Sequence, residues 1–226
     1  MGRRPPERHT THFNLRDALE ALGCAICTLV TKAVASSLDG LLYERVNDPG
    51  IRQELRASGG FCHRHAWELC DVGDAFGVGL LYQDLLERAT TSLKQCLDDR
   101  KALAAQQKGT VNQCPSCRQT PEATQRYLSL FVEMFEDPSF RSAIDQSNGL
   151  CLPHFQEALS SCRTSAQRTA LTNWEQAKLS ILLRQLKEFL RKQDYRYIAE
   201  GYRTEEAASW LRVVELFVGQ RGRKPR

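Results

Sequence analysis

Eight residues of this 226-residue chain have the types and spacings of metal ligands. Cys24-Ala-Ile-Cys27 is followed, after 34 residues, by Cys62-His-Arg-His65, and Cys114-Pro-Ser-Cys117 is followed, after 33, by Cys151-Leu-Pro-His154. A CxxC with a CxxH supplies three thiolates and one imidazole. Those four donors close a tetrahedral Zn²⁺ site and leave no position for a substrate. The candidate ligands are Cys24, Cys27, Cys62 and His65 in the first copy and Cys114, Cys117, Cys151 and His154 in the second, giving two structural zinc ions per chain. Pairing the CxxC of one copy with the CxxH of the other uses the same eight residues, and the sequence leaves both pairings open. His63 is an alternative donor to His65, but only His65 falls in register with His154. Thiolates at helix starts also suit an iron–sulfur cluster, where one His is tolerated. Two CxxC pairs also allow dithiol redox chemistry, although the βαβ setting of a thioredoxin-like site is missing.

The segments before the CxxH motifs repeat as well. Asp48 to Cys62 aligns without a gap to Asp137 to Cys151, sharing Asp-Pro, Arg52/Arg141, Ser, Gly and Cys, with apolar matches at Ile51/Phe140, Leu55/Ile144 and Phe61/Leu150. The chain therefore contains an internal repeat of about 89 residues. Arg52 and Arg141 suit either a hydrogen bond to a thiolate or a surface salt bridge. Nine cysteines, an odd number, in a chain without a secretory apolar stretch point to free thiols in a reducing cytoplasm. The three outside the motifs, Cys70, Cys96 and Cys162, read as small hydrophobes on apolar helical stripes.

Helices must position these donors. From Cys27 to about Asn47 the apolar positions have helical spacing. Asp48-Pro49 reads as an N-cap with Pro at the first helical position, opening a short helix that Gly59-Gly60 closes. Asp137-Pro138 and Gly149 predict the same element in the second copy. Each CxxH then starts a helix, where residues three apart share a side. Long amphipathic helices follow, with stripes through Leu81, Leu85, Ala89, Leu93 and Leu97, and through Trp174, Ala177, Ile181, Leu182, Leu186 and Phe189. No stretch alternates with period two. The fold class is all-α: a helical bundle built from two repeats, each with a Cys₃His metal site, plus a C-terminal helix. The expected organisation is a basic tail over 1–13, repeats over 14–109 and 110–199, a final helix within 200–219 and a basic tail over 220–226. Tyr195, Tyr197, Tyr202 and Trp210 are expected to pack that final helix onto the body.

The composition, 42% hydrophobic and 26% charged, is that of a globular chain, with no run of about 18 consecutive apolar residues. A membrane partner is not expected. The net charge of +4 comes from the ends. Arg3, Arg4, Arg8, Arg221, Arg223, Lys224 and Arg226 are opposed there only by Glu7, so the body carries a small negative balance. Nucleic-acid binding through the basic tails is therefore the weaker partner reading, and an unidentified protein partner the stronger. No Ser-His-Asp set, paired-carboxylate motif or nucleotide loop accompanies the metal motifs, so the reading is non-enzymatic. Gly73, Gly77 and Gly79 lack the preceding strand and the Lys-Ser/Thr of a phosphate loop, and serve helix packing.

Cys24-Ala-Ile-Cys27, Asp48-Pro49, Arg52, Leu55, Ser58 and Gly60-Phe-Cys-His-Arg-His-Ala-Trp67 together resemble an uncharacterised prokaryotic family of Cys-rich helical proteins of unknown function. Its motif runs CxxC, then DPxxRxxLxxSxGFCxxHAW. The resemblance extends from about residue 14 to 219 and departs in the second copy, where Gln156 stands in place of Trp67. It implies a prokaryotic intracellular protein and supplies no activity.

Overall fold

The computed structural model describes the backbone of residues 10–96 and 114–221, with side chains for all of these except 92–96. Every regular element among the described residues is helical. In chain order they are α1 (Thr10–Glu20), α2 (Ala25–Glu44), α3 (Pro49–Ser58), α4 (His63–Cys70), α5 (Ala75–Cys96), α6 (Pro115–Met134), α7 (Arg141–Gln146), α8 (Leu152–Ser161), α9 (Ser165–Arg191), α10 (Thr204–Ala207) and α11 (Ser209–Val218), with a 3₁₀ turn at Ile198–Glu200.

The chain forms two compact units. One comprises the described residues up to Val30 together with those from Thr124 onward; the other is Thr31–Ala123. α2 starts in the first and ends in the second, and α6 does the reverse. α2 is long and apolar enough to cross a membrane by length and composition, with mean hydropathy 1.4. Half of it is buried, because it supplies Ile26 and Leu29 to one core and Val34, Leu38, Leu41 and Leu42 to the other.

In the 31–123 unit, Val34, Leu38, Leu41 and Leu42 pack against Leu55, Leu69 and Leu81, with Ile51 and Phe61 at the edge. α3 begins as the sequence predicts. Asp48 caps it by accepting the N–H groups of Gly50 (2.7 Å) and Ile51 (3.1 Å), Pro49 follows, and Gly59 ends it at φ +73. In the other unit, Phe131, Phe135 and Trp174 stack with ring centroids 5.5–5.9 Å apart, and the Trp174 Nε1–H donates to Ile144 O at 3.2 Å.

The second copy departs from the first at its short helix. Asp137 accepts the Ser139 N–H at 2.7 Å and closes a turn, and α7 begins only after Phe140. Phe140 is buried against α1, with the Arg16 guanidinium 5.2 Å above its ring and the Arg16 Nη2–H bonded to Ser139 O. Burial of that ring takes the place of the first helical turn. α1 also corrects the expected N-terminal tail: residues 10–13 are helical, and His12 packs edge-on to Phe140. Residues 1–9 and 222–226 lie outside the described residues, as does the side chain of Cys96.

Other expectations shift in detail. The α9 stripe runs through Leu171, Glu175 and Leu182, while Ala177 and Ile181 face solvent. On α5, Leu81 is buried and Ala89 exposed; Leu93 and Leu97 lie outside the described side chains. Cys162 is buried as expected, but Cys70 is exposed. Tyr195 and Trp210 are exposed as well, whereas Tyr202 stacks on Phe189 at 5.4 Å, and a buried Lys192–Glu206 ion pair lies beside it.

Candidate metal centres

All eight sequence-predicted ligands come together, in two groups of four. The first group is Cys24, Cys27, Cys151 and His154; the second is Cys62, His65, Cys114 and Cys117. The pairing therefore runs across the two sequence copies, where the repeat reading had given each copy its own site. The topology accounts for this. α2 and α6 carry the CxxC motifs at their starts, and each starts in the unit that holds the other copy's CxxH.

Each group is built from two helix N-termini. Cys24 and Cys114 directly precede α2 and α6, and Cys27 and Cys117 lie in their first turns. Cys62 and Cys151 are the N-caps of α4 and α8, with His65 and His154 one turn on. The Arg64 and His65 N–H groups at the start of α4 reach the Cys62 sulfur, while the Cys151 cap makes no side-chain hydrogen bond to the backbone of α8. Free N–H groups and helix dipoles at such positions favour thiolate over thiol.

The distances fit one tetrahedral ion. In the first group, Cys27 and Cys151 have their sulfurs 3.7 Å apart, and His154 Nδ1 lies 3.5, 3.4 and 3.2 Å from Cys24, Cys27 and Cys151. In the second, the Cys62 and Cys117 sulfurs are 3.6 Å apart, and His65 Nδ1 is 3.3, 3.4 and 3.4 Å from Cys62, Cys114 and Cys117. Zn–S bonds of about 2.3 Å and a Zn–N bond of about 2.0 Å at tetrahedral angles place sulfurs about 3.8 Å apart and S···N at about 3.5 Å. Disulfide sulfurs, at about 2.05 Å, are excluded by the same spacing. His63 joins neither group and stacks edge-on with Trp67.

Three sulfurs this close cannot all be anionic without a cation among them. Hydrogen bonds from Cys151 and Cys24, then from His154 and the Gln220 N–H, hold Cys27 far below the ordinary thiol range. Cys24, by contrast, is pushed well up by burial and by its sulfur neighbours. In the second group burial raises Cys62, but the N–H groups of His65 and Arg64, with Cys117 and Cys114, outweigh it and leave that thiol lowered. Cys117 is pushed up to about 12 by burial and Cys62. Burial lowers His65, whereas at His154 contact with Cys151 and Cys27 overrides burial and raises the imidazole to about 10. In each group one thiol is thus lowered and one raised, an imbalance that a bound divalent ion would remove.

The groups differ in their surroundings. Cys24, Cys27 and Cys151 are all buried, whereas Cys62 and Cys117 are half-exposed. The cleft beside the first group, lined by Gly23, Cys24, Gly149, Cys151, Leu182 and Arg212, holds about 30 Å³. That is room for a few water molecules.

Three neighbouring residues carried no sequence signal. Glu68 is buried, with a carboxylate oxygen 4.0 Å from His65 Nε2, the side of the ring away from the sulfurs. Glu175 is 1% exposed and accepts the Leu150 N–H at 2.9 Å beside Cys151; its other oxygen has no partner. Burial pushes its carboxyl up to about 7. Gln220 donates its N–H to Cys27 Sγ at 3.4 Å. Arg52 and Arg141 make ion pairs away from the sulfurs. Arg52 forms a two-pronged pair with Asp84 on α5 (2.6 and 2.8 Å), joined by Arg56, and Arg141 pairs with Asp145.

Comparison with known proteins places this geometry in a sparse setting. The family of unknown function DUF6062 matches residues 8–220. A relative from Caldicellulosiruptor sp. (strain Rt8B.4), described as an uncharacterized 23.9 kDa protein in xynA 3'region, is 28% identical over 197 residues, covering 87% of this chain and 95% of the relative. No solved structure matches the chain.

Proposed function

The chain belongs to the family of unknown function DUF6062, and on that premise we propose that it is a zinc-binding, non-enzymatic helical module that presents its surface to a protein partner. One observation carries the metal assignment: two separate Cys₃His sets, each with donor spacings of a single tetrahedral ion. An iron–sulfur cluster interposes several iron and sulfide atoms between its thiolates and needs them farther apart than 3.6–3.7 Å. Zinc bound there would neutralise the crowded thiolates and tie α2 to α8 and α6 to α4. Its binding free energy would then contribute directly to folding.

A role without catalysis is supported by saturated donor sets and by the water-sized cleft beside the first group. Free cysteines suit a reducing cytoplasm. Elemental analysis together with a spectrum from 300 to 600 nm tests the metal reading. A colourless protein with two zinc ions per chain is expected. Iron with a broad band near 400 nm would transfer the assignment to a cluster, and a folded, reduced, metal-free protein would remove it.

A further inference from the structure

The end of the chain returns to the first donor group. Gly219 leaves α11 with φ +82 and ψ 169, its N–H still bonded to Glu215 O. The next N–H, that of Gln220, donates to Cys27 Sγ at 3.4 Å. The Gln220 side chain completes the contact: Nε2–H donates to Leu22 O at 2.8 Å, and Oε1 accepts the Thr28 hydroxyl at 3.1 Å. One residue therefore joins the loop before α2, the first turn of α2 and a candidate metal-ligating sulfur. Gly23 makes room for it, and Gly219 supplies the positive φ that turns the chain onto it. A Cβ at Gly23, whose φ is +89, would collide with the Gln220 amide, and a Cβ at Gly219 would stand 3.5 Å from Cys27 Sγ. In the second group, the backbone donors to Cys62 come from Arg64 and His65 of its own helix turn.

We propose that Gly219–Gln220 is a metal-dependent clasp, which seats the end of α11 when the first group is filled and lets it go when that group is emptied. The proposal rests on the reading of that group as a metal site. A metal held by Cys24, Cys27, Cys151 and His154 would fix the Cys27 sulfur and the first turn of α2 in the place where Gln220 meets them, whereas an empty group leaves α2 and α8 without that tie. Linkage makes the effect reciprocal: the metal holds the clasp, and the clasp slows loss of the metal. Outer partners of metal ligands typically change affinity by about 10–100-fold. The clasp is specific to one of two donor sets of the same composition, so the second serves as an internal control.

The test uses the full-length, zinc-loaded protein and two variants, Gln220→Ala and Gln220→Pro. The first removes the side-chain bonds; the second also removes the N–H to Cys27. Zinc stoichiometry is measured first, then release to a chromogenic chelator, then hydrogen exchange across residues 212–221 before and after chelation. Two equivalents of zinc are expected in all three proteins. One equivalent should leave about tenfold faster in the variants, most in Gln220→Pro, with the other unchanged. Exchange at 216–221 in the wild type should rise after chelation. Two zinc ions released at wild-type rates from both variants would sink the clasp and leave the metal reading intact. Unchanged exchange after full chelation would do the same. A wild-type protein that binds no metal would overturn both.

Discussion

A carboxyl as enclosed as that of Glu175 is held by one N–H, from Leu150, on one oxygen only. Ionising it in that place costs free energy, and for that reason its folded value is raised from 4.5 to about 7. The sign follows from the direction. A raised value means that the protonated form fits the fold, so its contribution is fully present below 4.5 and is lost as pH rises through 7. The rise from 4.5 to about 7 corresponds to roughly 3 kcal/mol between the two protonation states. Replacing Glu175 with Gln keeps an acceptor for Leu150 and removes the charge. In zinc-saturated protein, the stability gain of Glu175→Gln over wild type should therefore grow from pH 5 to about 7 and level off above it in denaturant melts. A gain that does not vary with pH would show that the carboxyl is already neutralised by another group. The sequence concealed this residue because a glutamate in the apolar register of α9 breaks the stripe, and the eye moves to Ala177 and Ile181 instead. Gln220 was hidden for a different reason: its partner Cys27 is 193 residues away, and no local pattern signals such a contact.

Helix starts are where the sequence was most legible, because caps and ligands are local. Asp48-Pro49 was readable as the opening of α3, and Asp48→Ala should cost about 1 kcal/mol, measured by chemical denaturation of the 31–123 unit's transition. The same dipeptide at Asp137-Pro138 misled, since a buried Phe140 reshapes the turn that follows it. The gathering of the eight Cys and His residues into groups of four was legible from spacing alone. Their partnership was not, because it depends on which unit holds the start of α2 and of α6. That partnership is testable at the same scale. In cadmium-substituted protein, the Cys27 and Cys151 β-protons should couple to one ¹¹³Cd resonance, and those of Cys62 and Cys117 to the other. Coupling of Cys27 and Cys62 to a shared ion would restore the within-copy arrangement. Correspondingly, Cys151→Ser should lose one zinc equivalent and expose the Thr124-onward unit to protease, whereas Cys62→Ser should expose Thr31–Ala123.

At the scale of the whole molecule, each compact unit holds one donor set, and the two sets differ in exposure. Chelation at neutral pH should therefore proceed in two steps, the half-exposed second group emptying first, with helicity lost at each step in far-ultraviolet circular dichroism. Acid should release both ions, since protons compete for thiolates and imidazole alike. A single concerted loss at every chelator concentration would mean that the units do not hold their metals independently.

The crossed pairing also sets an order of events while the chain is being made. A ribosome delivers Cys24, Cys27, Cys62 and His65 before any residue of the second copy exists, and those four form a complete but wrong ligand set. The native second group can close only once Cys117 has emerged, and the first must wait for His154. At about 5–20 residues per second, the early thiols spend several seconds next to the wrong histidine. On the proposed zinc reading, the ion would be both the staple of the finished fold and a trap for the unfinished one. Refolding from denaturant should be slower when zinc is present from the start than when it is added after the helices have collapsed.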